Sequence, residues 1–375
     1  MRLGASARAG LRTGPAGQLR SGLRRLWILG GTLVIRTTLI AMLVALSPQF
    51  AALAAPFYSV TDLGTLGGTS SFGTALNDSG HAVGYSTTSG GDTRAFYWTL
   101  GGGMVDLGLI GTGSSQAFDI SNTDNIVGQS GGKAFRWAPG AGMVLIDSAS
   151  NGSANGINES NVAIGQRVVG NGNRTLRWSA ANLITVVGPL ANTAGAAIND
   201  FGQSVGIVGG LSGYYNNGTT FTGLSAFLPQ DLNNTREIVG SLSGVATWLD
   251  FDTNTTTTLG KLSPTDSSST ALGINQAGTI VGISVGSGAF VTDSPSSIVS
   301  LTSLLAPSFS DWEILTATDI NNAGQIIGVG RYGGQDHAVI LNLIVPEPST
   351  LSLLFAALGT MVLFAQRKIF CSRGL

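Results

Sequence analysis

The sequence predicts an all-β repeat protein, a seven-bladed β-propeller, set between two apolar terminal segments. Three observations carry that expectation. One short phrase recurs seven times, at intervals of 34 to 46 residues. Gly makes up 55 of the 375 residues, about twice the usual share. The apolar stretches between the glycines are too short for helices, and Phe and Trp alternate with other residues in them, as in strands with one buried face.

From the N-terminus, residues 1–54 have the form of a signal peptide. The first 36 residues hold seven Arg and no acid, 37–46 is apolar, and Ala52-Leu53-Ala54 offers a small-x-small cleavage site before Ala55. Arg24-Arg25 invites comparison with twin-arginine export, but Leu23 and Leu26-Trp27 fit that pattern poorly. General secretion is the expectation. An uncleaved anchor is the competing reading, and a chain start placed too far upstream would also account for the long leader.

Residues 55–344 are about seven repeats of roughly 41 residues. The phrase is apolar, Asn, two residues, a turn residue, one residue, two apolar residues and Gly. Ile274-Asn275-Gln276-Ala277-Gly278-Thr279-Ile280-Val281-Gly282 is a full copy. The Asn column is Asn77, Ser121, Asn158, Asn199, Asn233, Asn275 and Asn321, with Ser in the second copy. Asn-x-x-Gly predicts a hairpin loop, because Asn bonds its own backbone and Gly adopts positive φ. The apolar pair predicts a buried strand, and its Gly allows close packing. A third strand follows in several copies, as Ala95-Phe96-Tyr97-Trp98, Ala134-Phe135-Arg136-Trp137, Leu176-Arg177-Trp178 and Ala246-Thr247-Trp248. A fourth element precedes the phrase, as Val60-Thr61-Asp62-Leu63-Gly64 and Met104-Val105-Asp106-Leu107-Gly108.

Four short strands in about forty residues make a propeller blade. Unequal repeat lengths disfavour the alternative, an open β-solenoid whose coils must stack in register. Because the chain begins and ends on a strand, the ring is expected to close between whole blades, with no strand lent from one terminus to the other.

Residues 345–375 complete the chain. Pro346-Glu347-Pro348 is followed by the uncharged run 351–365 and then by Arg367, Lys368 and Arg373. A helix over 351–365 reaches about 22 Å, short of the roughly 30 Å hydrocarbon core, and snorkelling basic residues would narrow the gap. A transmembrane helix with its basic tail inside and the body outside is predicted. A buried C-terminal helix is the competing reading. The three parts in this order resemble a PEP-CTERM sorting signal, which implies an exosortase as partner and export to the cell surface or matrix. The combination of Asp62-Leu63-Gly64, Ala-Phe-x-Trp and Ile-Asn-x-x-Gly-x-Ile-Val-Gly resembles the extracellular HAF repeat over most of 57–344. The His of that repeat is Arg94 in the first copy and Lys133 in the second. It survives as His337, where Val339 replaces the Phe.

The ends hide the charge of the body. The chain is near −1 overall, but 55–344 holds nine Lys and Arg against nineteen Asp and Glu. An acidic body disfavours nucleic acid, which is bound through Lys and Arg. Cys371, the single Cys, lies in the tail, so the body has no disulfide although its expected compartment would permit one.

Candidate chemistry is sparse. With two His and no Cys in the body, a zinc site or a Cys nucleophile lacks ligands, and no Gly-x-Ser-x-Gly elbow occurs. No catalytic residue is assigned. Asp119, Asp231 and Asp319 each stand two residues before the Asn column. If that strand lines the channel, the three would ring it and could bind Ca²⁺ or flank a glycosidic bond; solvated hairpin acids are the plainer reading. Asn122-Thr123-Asp124-Asn125 lacks the repeated acidic spacing of a calcium loop. Trp98, Trp137, Trp178 and Trp248 could stack on sugars, but matched blade positions favour inter-blade core. The expected role is a non-catalytic matrix or biofilm protein that binds exopolysaccharide. The alternatives are a glycan-acting hydrolase or lyase using the channel acids, and a protein–protein adhesion module.

Overall fold

The structure, a computed structural model, describes residues 57–344 except 149–150, 189–190 and 295–296. The expected signal peptide over 1–54 and the sorting segment over 345–375 lie outside the described residues. Among the described residues, no helix is long and apolar enough to cross a membrane.

Seven four-stranded antiparallel sheets follow one another along the chain. They span 67–106, 115–145, 152–186, 193–223, 227–260 and 268–300, and the seventh spans 313–344 with the strand Phe57–Asp62 added. Two 3-10 turns, Thr302–Leu304 and Pro307–Phe309, link the sixth blade to the seventh. The first strand of each blade lies against the first strands of its neighbours in cyclic order, and that of blade 7 touches that of blade 1. The ring is therefore closed, and the protein is a seven-bladed β-propeller.

The core lies between blades. Leu76, Ala82, Phe96 and Trp98 of blade 1 pack with Ile327, Ala338 and Ile340 of blade 7. Val127 and Ala134 of blade 2 pack with Ile157, Ala163, Leu176 and Trp178 of blade 3. Both faces of the middle strands are covered, so their centres are apolar without interruption, as in Ile126-Val127. The Gly that ends the phrase has a steric reason. A Cβ on Gly84 would overlap the carbonyl oxygen of Phe72 and press on the ring of Phe96.

Closure differs from the expectation. Phe57–Asp62 is the outer strand of blade 7, paired antiparallel with Gln335–Ile344 from Phe57 opposite Ile344 to Asp62 opposite Val339. Asn342 Nδ2 donates to Thr61 Oγ1 at 3.2 Å, and His337 Nδ1 lies 2.9 Å from Asp62 Oδ2. So one terminus does lend a strand to the other. The reason lies in strand order, because each blade runs from the channel outwards. The segment 104–108 supplies the outer strand of blade 1. Its counterpart 60–64 precedes every inner strand, so the blade left for it to complete is the last. The exchange satisfies backbone groups of the outer strand Phe57–Asp62 and hides an edge of Gln335–Ile344.

The Trp set divides. Trp98 and Trp178 are inter-blade core, and Trp137 is half-buried between blades 1 and 2. Trp248 stands one place out of register. It pairs with Val239, while Leu249 takes the place matching Trp98, Trp137 and Trp178.

Candidate functional site: the ringed mouth of the channel

The hairpins between first and second strands form one mouth of the channel, and the Asn column builds them. Asn275 Oδ1 accepts the N–H groups of Ala277 at 3.1 Å and Thr279 at 2.9 Å, while Gly278 adopts a φ of +80° to close the turn. This leaves Nδ2 free to donate outside its own turn. It reaches the carbonyl oxygen of the next blade's Asn, from Asn275 to Asn321 at 3.2 Å and from Asn321 back to Asn77 at 2.9 Å. Asn77, Asn158, Asn199 and Asn233 make the same link to the next turn. Ser121 has no Nδ2 to reach the next turn's carbonyl, and its Oγ comes only within 3.5 Å of Asn161 Oδ1. There Arg136 reaches across instead, donating to Asn161 O at 2.9 Å, Ala180 O at 2.9 Å and Asn182 Oδ1 at 2.8 Å of blade 3.

A second circle runs beside the first. The backbone N–H of Asp78 donates to Asn122 Oδ1, that of Asn122 to the Glu159 carboxylate, and that of Glu159 to Asp200 Oδ1. Asp200 N–H then donates to Asn234 Oδ1, Asn234 N–H to Gln276 Oε1, Gln276 N–H to Asn322 Oδ1, and Asn322 N–H to Asp78 Oδ1. All seven links lie between 2.8 and 3.1 Å. The sequence carries the signal for this circle, which the Asn column alone does not reveal. Each copy carries Asp, Asn, Glu or Gln directly after the Asn column.

Asp119, Asp231 and Asp319 sit deeper, each just after a β-bulge in the first strand of its blade. Each carboxylate clamps two blades. Asp119 accepts the N–H of Ile120 at 2.8 Å and of Ile157 at 2.7 Å. Asp231 accepts those of Leu232 at 2.7 Å and Ile274 at 3.0 Å. Asp319 accepts those of Ile320 at 2.7 Å and Leu76 at 3.1 Å. The plainer expectation, solvated hairpin acids, does not hold. The residues keep partial access to the channel, but protein encloses their carboxyl groups. Burial foremost, with the neighbouring Asp319 charge, pushes Asp231 up to about 7. Burial, and more weakly Asp78, raises Asp319 to about 6. Asp119 is raised well above the carboxylate range by burial, with contributions from Asp319 and Asp231. The structure thus brings the three acids within electrostatic reach of one another. Among the described residues, no group of three or more His, Cys, Asp or Glu is arranged to hold a metal ion.

A separate cluster lies between blades 1 and 2. His81 Nδ1 is 2.8 Å from Asp124 Oδ1 and 2.9 Å from Tyr97 Oη, and Asn77 Nδ2 donates to Asp124 Oδ1 at 2.9 Å. The Tyr97 ring packs on Trp137 with centroids 5.4 Å apart. Burial, then the Asp124 charge and hydrogen bond, push the Tyr97 phenol up to about 12. The sequence placed His81 in a hairpin but could not bring Asp124 or Tyr97 to it. His337 pairs with Asp62 in the closing strand instead. Pro346, Glu347, Pro348, Arg367, Lys368 and Arg373 lie outside the described residues.

No family model matches the chain, and no curated protein does. Solved structures do match. The extracellular domain of a hybrid two-component system from B. thetaiotaomicron is similar at 10% identity and a TM-score of 0.50, over 76% of this chain and 39% of that one. TolB from Acinetobacter baumannii matches at 10% identity and a TM-score of 0.42, over 69% of this chain and 63% of its own. A gluconolactonase from Xanthomonas campestris matches at 13% identity and 0.43, over 78% and 93%. The chain thus spans less than two thirds of the length of the first two. At these identities the likeness concerns the fold alone.

Proposed function

We propose that the chain is an exported, non-catalytic surface or extracellular-matrix repeat protein. In this reading secretion machinery takes it across the inner membrane. An exosortase then sorts it through Pro346-Glu347-Pro348, the apolar segment and the basic residues Arg367, Lys368 and Arg373, and its disc binds exopolysaccharide. The supporting observation is the use to which the mouth residues are put. The channel carboxylates each hold two backbone N–H groups, and the side chains after the Asn column each hold one. Such an arrangement suits a rigid scaffold presenting a surface. Size exclusion of the purified protein mixed with the producer's own exopolysaccharide tests this. Co-elution with a polymer of unchanged size is expected; separate elution from an intact polymer would remove the glycan reading and leave protein adhesion.

One observation favours a second reading, a glycan-acting hydrolase or lyase. Asp231 and Asp319 carry values raised towards neutrality, as general acids do. That reading requires shortening of the polymer and its loss in Asp119→Asn or Asp319→Asn with the fold intact.

A further inference from the structure

The turn of blade 2 departs from the repeat twice, and the two departures have different consequences. Ser121 in place of Asn removes the amide that reaches the next turn's carbonyl, and Arg136 supplies the shorter crossing to blade 3. Asp124 replaces the turn Gly found in four other copies, at a φ of +59°. Gly there would satisfy the backbone without the cost that a side chain carries in the left-handed region. Asn161 and Arg236 hold the same place in blades 3 and 5 at φ +57° and +62°, so what sets Asp124 apart is the contacts of its carboxylate.

What it serves is visible by comparison with other blades. The residue four places after the Asn often returns a side-chain oxygen to the Asn Nδ2, as Gln203 does to Asn199 at 2.8 Å and Gln325 to Asn321 at 2.9 Å. In blade 1 that place is His81, and Asp124 of blade 2 supplies the oxygen to Asn77 instead. His81 is released from the turn, and its Nδ1 is held by Asp124 and Tyr97. A carboxylate on Nδ1 assigns the ring proton to that nitrogen, so neutral His81 presents the Nε2 lone pair. Among the described residues Nε2 has no hydrogen-bond partner, and the side chain is 30% exposed. Beside it stand the half-buried rings of Tyr97 and Trp137.

We propose that this notch between blades 1 and 2 is a binding site for a neutral saccharide. His81 Nε2 accepts a sugar hydroxyl, and the Tyr97–Trp137 pair packs against the C–H face of the ring. The neighbouring carboxylates Asp78, Asp124 and Glu159 disfavour an anionic polymer. The inference rests on the exopolysaccharide reading and names where and what kind of sugar is bound.

The test titrates the full-length protein with dextran, laminarin, xylan and alginate, following tryptophan fluorescence and co-elution, alongside the producer's exopolysaccharide. One neutral glycan at least should bind, with affinity reduced tenfold or more in His81→Ala and threefold or more in Tyr97→Phe. Asp200→Asn, across the mouth, should leave affinity unchanged. His81→Ala removes the contacts to Asp124 and Tyr97, and its melting curve reports whether the fold survives. Undiminished binding by a folded His81→Ala would overturn the site while leaving the glycan reading standing. Preference for alginate would overturn the neutral class. Failure of the wild type to bind any of the polymers, the producer's included, would remove both.

Discussion

The two hydrogen-bonded circles at the channel mouth run side by side, yet one is complete and the other is broken. The complete circle asks each blade for a backbone N–H and a side-chain oxygen. Asp, Asn, Glu and Gln all provide the oxygen, so seven copies meet the demand with four residue types. The Asn circle asks one buried side chain to accept two N–H groups of its own turn and also to donate across the blade boundary. Asn does both and Ser does not, so the circle breaks at Ser121. A contact that many residues can make survives divergence between repeats, whereas a contact that needs one residue marks where the repeats part. The broken circle lies in the same turn that carries Asp124 and frees His81.

The largest effect should come from removing the strand that closes the ring beside the two circles. Each has a link from blade 7 to blade 1, at Asn321 and at Asn322. Deleting Phe57–Asp62 leaves those links but removes the strand that completes blade 7. Loss of cooperative unfolding in calorimetry is expected. An unchanged transition would mean that the circles close the ring without the strand.

The acids beneath the circles come next. Asp119, Asp231 and Asp319 all have values raised in the fold, so the folded state binds protons more tightly than the unfolded chain. For Asp231 and Asp319 the resulting stability is fully present below about 4 and is lost as pH rises through about 6 to 7, and Asp119 acts in the same direction. Between pH 5 and pH 8 the melting temperature should fall by on the order of 5 °C. Asp231→Asn should flatten that slope; a wild-type melting temperature that rises over this range would show that the carboxylates are stabilised as anions by their paired N–H groups.

Smaller effects separate the circles themselves. Asn275→Ala strands two N–H groups and a carbonyl in a buried site, and should cost about 2–4 kcal/mol in chemical denaturation. Ser121→Asn should supply the missing link to blade 3 and add about 1 kcal/mol. Gln276→Ala removes one exposed acceptor from the complete circle and should cost less than about 1 kcal/mol. Equal losses for Asn275→Ala and Gln276→Ala would undo the distinction between a demanding and a tolerant circle.

Seven copies of one phrase, with short apolar strands between turns, determined the all-β class, the blade count and the inter-blade places of Trp98 and Trp178. These are local matters, because a strand with one residue in two facing a neighbour must carry its pattern in its own residues. The match of 60–64 to 104–108 stood in the sequence, yet it led to an expectation of closure between whole blades, because only the order of strands within a blade shows that 57–62 completes the last one. Contacts across blade boundaries were decided by tertiary structure alone. Asp124 lies 43 residues from His81, and Asp319 lies 243 from Leu76. Such pairs become neighbours when the ring closes, and which side chain meets which depends on the bulges and loop lengths that set each blade's turn beside the next. Periodicity places a residue on a face; closure decides what stands opposite.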